Sequence, residues 1–248
     1  GEGDICFAYD ASVLSGQSIR GLEWKQPGES VLLHHATLQA TSETRPTGAP
    51  FDCNPMPDDA ITVHTWAPGR DQLVLPDDVG IELPSTVRTL ILQAHIIRLG
   101  PEDAGPGTVD ICRSASPPVK VAGWLGLRAT VPTIPPMADV TSTSRCRFSA
   151  AWSLLFDWPH MHRTGATFQA ALLHGTERTS LVNLDTWDSD HEFTYPIDLP
   201  VEAGDAIEIN CGFSNPNATE VVAGPYDDNE MCELGLLGWP GAGNCAYE

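Results

Sequence analysis

Twenty-one prolines and 22 glycines are scattered along 248 residues, and this punctuation constrains the fold more than any other feature of the chain. Proline removes a backbone donor and breaks helix interiors, and glycine weakens them, so long helices are ruled out. Between the breaks lie short runs rich in β-branched and aromatic residues: Val31–Ala40, Ile61–Trp66, Val87–Leu99, Lys120–Thr130, Arg147–Phe156, Thr167–Leu173, Thr179–Leu184 and Ala206–Phe213. Strands at this spacing predict an all-β chain built of antiparallel sandwiches or barrels. The tract Ser114-Ala115-Ser116-Pro117-Pro118 reads as a linker and divides the chain into residues 1–119 and 120–248, each the size of one sandwich.

Charge narrows the partners. With 13 Lys+Arg against 33 Asp+Glu, the net charge is -20, and no basic stripe is available to neutralise phosphates. Nucleic acid and anionic membrane are therefore not expected partners. No apolar run reaches transmembrane length, and no cationic-then-apolar leader precedes the first strand, so Gly1 reads as the start of a mature or trimmed chain. The seven cysteines, Cys6, Cys53, Cys112, Cys146, Cys211, Cys232 and Cys245, contain no Cys-x-x-Cys pair. Scattered in this way they fit disulfides made in an oxidising compartment, which predicts a secreted or periplasmic protein. Their odd number leaves at least one without an intrachain partner.

The histidines suggest metal chemistry. In an extended His160-Met161-His162, side chains repeat with period two, so both imidazoles share a face and Met161 points away. Two imidazoles so placed can grip one ion. His34 and His35 sit inside the apolar run Val31–Leu38, where neighbours face opposite ways. Both reach one ion only if the strand twists, bulges or lies at an edge; otherwise one is a core and one a surface residue. Thr89–His95 puts Gln93 and His95 on one polar face of an apolar strand, and a buried neutral imidazole needs a hydrogen-bond partner or a metal. Met231 follows the acidic loop Tyr226–Glu230 and directly precedes Cys232, whose disulfide would fix the backbone and aim the thioether. His64, His174 and His191 have no partners in this pattern and read as ordinary core or surface residues. Serine-nucleophile, phosphate-loop and His-Glu-x-x-His motifs are absent from the sequence.

In order and approximate spacing, His34-His35, Leu92-Gln93-Ala94-His95, His160-Met161-His162 and Glu230-Met231-Cys232 resemble the type II copper, ascorbate-dependent monooxygenases. This is the family of dopamine β-monooxygenase and peptidylglycine α-hydroxylating monooxygenase. The resemblance extends to Leu75-Pro76-Asp77-Asp78-Val79-Gly80, to Ile134-Pro135-Pro136 and to Gly204-Asp205 before Cys211. It implies two tandem antiparallel jelly-roll-like β-sandwich domains facing each other across a cleft, each with one copper. Residues 1–119 would hold the electron-transfer copper on His34, His35 and His95. Residues 120–248 would hold the oxygen-activating copper on His160, His162 and Met231. Ascorbate would be the reductant, and O2 and a small organic substrate with an activated C–H bond the reactants. The second electron would come from the first copper, with Gln93 a candidate for its path. Donor chemistry agrees: a thioether is soft and favours Cu(I), and an incomplete coordination sphere leaves room for the oxidant.

By the same resemblance the cysteines pair as Cys6–Cys112, Cys146–Cys245 and Cys211–Cys232, with Cys53 left over. Two neighbourhoods depart from the peptidylglycine enzymes, which carry an arginine before the His-x-His and a tyrosine and an asparagine after the methionine. Here these read Asp157-Trp158-Pro159 and Cys232-Glu233-Leu234-Gly235. Trp158, Asp157 and Glu233 would then line a site for a cationic or neutral aromatic substrate and not for a peptide carboxylate; the competing reading makes Trp158 a core residue and the acids solvated. The chain's length fits a minimal, bacterial form. A different class of function, a secreted copper-binding or copper-scavenging protein without turnover, would use the same ligands.

Overall fold

A computed structural model describes residues 2–14, 16–25, 31–52, 56–66, 72–98, 108–189, 191–224 and 228–248, with only the backbone described for Glu2, for 31–34 and for 97–98. The chain divides into two compact units, Gly1–Ala122 and Gly123–Glu248. The division falls inside a strand, a few residues beyond the proline-rich tract.

The first unit contains β1 (Glu2–Asp10), β2 (Ser18–Lys25), β3 (Val31–Thr41), β4 (Pro50–Phe51), β5 (Ile61–Trp66), β6 (Gln72–Val74), β7 (Val79–Glu82), β8 (Thr89–Arg98) and β9 (Thr108–Ser114). One sheet runs β4-β1-β8-β3-β5; in the other, β2 pairs with β6, β7 and β9. Strand alternation explains the core. Ala36, Leu38 and Ala40 of β3 lie opposite Ala94, Leu92 and Leu90 of β8, and all six are buried. Trp66 of the first sheet stacks on Trp24 of the second with centroids 5.8 Å apart, and His64 packs beside Trp24. Burial holds His64 down to about 3, so its ring is a neutral core residue. The reverse face of β8 first buries Ile91 beside Cys6, with Phe51 and Met56 packed on them, and then turns polar at Gln93 and His95.

The second unit contains β10 (Lys120–Arg128, from Gly123 onward), β11 (Ala138–Phe148), β12 (Trp152–His160), β13 (Gly165–His174), β14 (Glu177–Leu184), β15 (Tyr195–Val201), β16 (Ala206–Asn215), β17 (Glu233–Trp239) and β18 (Cys245–Tyr247). Its sheets run β15-β12-β17-β10 and β14-β13-β16-β11-β18. Leu127, Leu154, Leu234 and Leu236 from the first of these meet Phe148, Phe168, Ile207, Ile209 and Phe213 from the second in one core. The result is the expected all-β sandwich architecture. One expected strand is divided: Arg147–Phe156 spans the end of β11 and the start of β12, with a bend at Ser149-Ala150 between them. Its apolar character continues across that bend because both flanking strands feed the same core.

Cys146–Cys245 joins β11 to β18, and Cys211–Cys232 joins β16 to the residue before β17. The third expected pair does not form. Cys112 is an exposed free thiol on β9, whereas Cys6 is buried and disulfide-bonded. The physical reason is the layering: β1 and β9 belong to different sheets, with Cys6 on the face of β1 that meets Ile91 and Phe51. Cys53 lies outside the described residues. No helix among the described residues is long and apolar enough to cross a membrane.

Candidate metal centres

In the first unit, β8 and β3 deliver His95 and His35 directly opposite each other, and the two rings stack with centroids 4.8 Å apart and planes 9° from parallel. The ladder slips here: Leu33 pairs with Ile96 and His35 with His95, which leaves His34 as the extra residue of a bulge. That is the irregularity adjacent histidines need before both can serve one ion. The His34 side chain itself lies outside the described residues.

A third group completes the cluster. Asp4 of β1 lies opposite His95 across the other edge of β8, and its Oδ1 is 2.8 Å from His95 Nδ1. Among the described residues, Asp4, His35 and His95 form the one group of three or more His, Cys, Asp or Glu side chains whose ligand atoms lie within 4.8 Å of one another. Because Asp4 commits Nδ1 of His95, it acts as an orienting acceptor, and a metal taken by this ring would bind through Nε2. Gln93, next on the same face, donates to Asp4 Oδ2 at 3.4 Å, so it belongs to the hydrogen-bonded support of His95.

In the second unit, β12 ends at His160 and the chain turns, so His162 lies just beyond the strand. The two rings nevertheless meet edge to face, centroids 5.0 Å apart, while Met161 is fully buried in the sandwich core. His160 Nδ1 is held by the carboxylate of Glu192 at 2.9 and 3.0 Å, and His162 Nδ1 by the backbone carbonyl of Asn229 at 3.2 Å. Both rings are almost wholly buried. Burial opposes charge on His160, but the attraction and hydrogen bond of Glu192, helped by Glu233 and Glu230, outweigh it and raise the imidazole to about 9.

Met231 is brought alongside by its neighbour. The fully buried Glu230 carboxylate accepts the backbone N–H of His162 at 2.5 Å and that of Met231 at 2.9 Å, both on Oε1. On Oε2 it accepts the Thr164 N–H at 3.0 Å and hydroxyl at 2.6 Å. Cys232, the next residue, is anchored to Cys211 of β16. The thioether is therefore carried by a backbone anchored on both sides, through Glu230 to the His162 backbone and through Cys232 to β16.

The three substrate-lining candidates separate. Trp158 and His160 lie opposite Gly235 and Glu233 on one face of the β12–β17 pair, and the Trp158 ring stacks on His160 at 5.0 Å. Glu233 also pairs with Arg128 at 2.9 Å. Asp157 lies opposite Leu236 on the other face, toward the core, with no exposure. It does not share the Trp158 face, because one residue along a strand reverses the side. Neither of its carboxylate oxygens has a hydrogen-bond partner among the described residues, and burial pushes it up to about 7.

The sequence alone does not single out Asp4, Glu192, Glu230 or the Asn229 carbonyl as site residues. Glu230 had a signal, being an acid directly before Met231 in an acidic loop. The other three are found only through register and packing. His174 and His191 pair with Asp205 and Asp188 at the surface.

No family model matches the chain. Among solved structures, the chain aligns with one from the structure of infectious bursal disease virus Gx strain over 96% of its own length and 61% of that chain, at 13% identity and a TM-score of 0.19.

Proposed function

We propose that the protein is a copper-dependent monooxygenase that hydroxylates an activated C–H bond of a small organic substrate, using O2 and an ascorbate-type reductant. One mononuclear copper would sit on His35, His95 and the neighbouring His34, and another on His160, His162 and Met231. The observation that carries this reading is the commitment of Nδ1 on His95, His160 and His162 to Asp4, Glu192 and the Asn229 carbonyl. Imidazoles fixed through one nitrogen by carboxylates or carbonyls are the usual form of metal-ligating histidine.

The donor sets fit copper. Imidazoles serve either oxidation state, whereas the thioether of Met231 favours Cu(I). When bound, copper would supply one-electron redox chemistry and O2 activation. The chain's own residues do the rest. Glu192 keeps His160 in one ring orientation, Trp158 covers the face of that imidazole, and Glu230 holds the backbones of His162 and Met231 to one oxygen atom. Disulfides and scattered cysteines support a secreted or periplasmic location.

The test is copper stoichiometry combined with mass spectrometry for a product heavier by one oxygen, across aromatic amines, peptides and fatty amides. Two coppers per chain and ascorbate-dependent hydroxylation are expected, with Met231→Ala abolishing product while copper stays in the first unit. Unchanged turnover in that variant would sink the assignment. Two coppers with no product from any substrate would favour a copper-scavenging protein.

A further inference from the structure

We infer that Glu230 is a positioning residue that sets the Met231 thioether against the His160/His162 pair, an inference that rests on the copper reading above. Glu230 has no solvent exposure, and its hydrogen-bond donors among the described residues are the N–H groups of His162, Thr164 and Met231 and the Thr164 hydroxyl. A buried carboxylate is costly unless its acceptor capacity is used. Here each oxygen takes two donors, one oxygen joining His162 to Met231 and the other binding Thr164.

The same short segment reaches the site three times. Asn229 presents its carbonyl to the His162 imidazole, Glu230 clamps the His162 backbone, and Met231 supplies the thioether. Its own backbone is fixed in turn: Glu230 N–H donates to Val222 O at 3.0 Å, and Gly224 N–H to Glu230 O at 3.2 Å. Cys232 follows Met231 directly and is tied to Cys211, and its carbonyl accepts the Ala129 N–H at 2.9 Å. Met231 therefore sits between two anchors, one residue away on each side. A metal cation at the site would also balance the buried negative charge, so the carboxylate favours the loaded form as well as the ligand geometry.

Only an acceptor-only side chain can do this. Glutamine has the same shape but turns one oxygen into an NH2 donor. Whichever way it flips, that NH2 meets backbone donors, either the His162 and Met231 amides or the Thr164 N–H, although the Thr164 hydroxyl can turn to accept.

The experiment is X-ray absorption on the full chain loaded with Cu(I), with copper affinities measured for each unit, for wild type, Met231→Leu, Glu230→Gln and Thr164→Val. Wild type is expected to show a sulfur contribution that Met231→Leu lacks. In Glu230→Gln the sulfur contribution disappears and copper at the second unit binds roughly 10- to 100-fold more weakly, while first-unit copper is unchanged and an unaltered circular dichroism melt reports an intact fold. Full sulfur scattering in Glu230→Gln would overturn the inference. Absence of sulfur scattering in wild type would instead overturn the copper reading on which it rests. Should Glu230→Gln fail to fold, Thr164→Val decides: it removes one donor and keeps the charge. A weakened sulfur contribution there supports the role of Glu230, and an unchanged one overturns it.

Discussion

Asp157 shows how much one residue's facing matters. It sits three positions before His160 on the same strand, but on the core side, fully buried and with neither oxygen hydrogen-bonded among the described residues. Burial pushes it up to about 7 from a reference of 3.8. The unfolded chain therefore releases this proton near pH 4 while the native state keeps it to about pH 7. Stability falls as pH rises through that interval, is lowest above it, and is unaffected by this group below about pH 4. The ceiling on the loss is roughly 4 kcal/mol at about 1.4 kcal/mol per pH unit. Asp157→Asn should flatten the decline, so that its melting temperature exceeds wild type at pH 8 and converges with it at pH 4; parallel melting curves across that range would refute this. On the copper proposal, Gln substitution at Glu192 should weaken copper binding in the second unit by roughly 10- to 100-fold, measured by competition with a Cu(I) chelator, because the His160 Nδ1 partner loses its charge. Cys112 should be alkylated in the native protein while Cys6 is not, a result peptide mapping reads directly.

At the level of elements, the two centres are built by different devices. The first is a property of strand register: β1, β8 and β3 align Asp4, His95 and His35 across three neighbouring strands, and a bulge at His34 breaks the alternation that would otherwise send adjacent histidines apart. The second is a strand end met by a loop, with His160 closing β12 and residues 229–231 arriving from the start of β17. A loop held in this way depends on its covalent anchor. Breaking Cys211–Cys232, which are 21 residues apart, by a double serine substitution should cost roughly 3 kcal/mol in the chain-entropy model. Denaturant unfolding would measure it, and on the copper proposal the affinity for copper should fall more in the second unit than in the first.

For the whole molecule, charge and division into units set the expectations. A net charge of -20 opposes compaction, so raising ionic strength from low values to physiological ones, where the Debye length is about 8 Å, should raise the melting temperature. A salt-independent melt would contradict that. The sequence by itself determined the fold class, because proline and glycine punctuation and strand-length apolar runs are local signals, whereas the pairings Cys146–Cys245 and Cys211–Cys232 follow only from the resemblance to the copper monooxygenases. The sequence did not determine the Cys6 pairing, the core-side orientation of Asp157, or the parts of Asp4, Glu192 and Glu230. Those depend on which strands become neighbours, in what register and around which bulge, and partners tens of residues apart in sequence meet only after the sheets have packed.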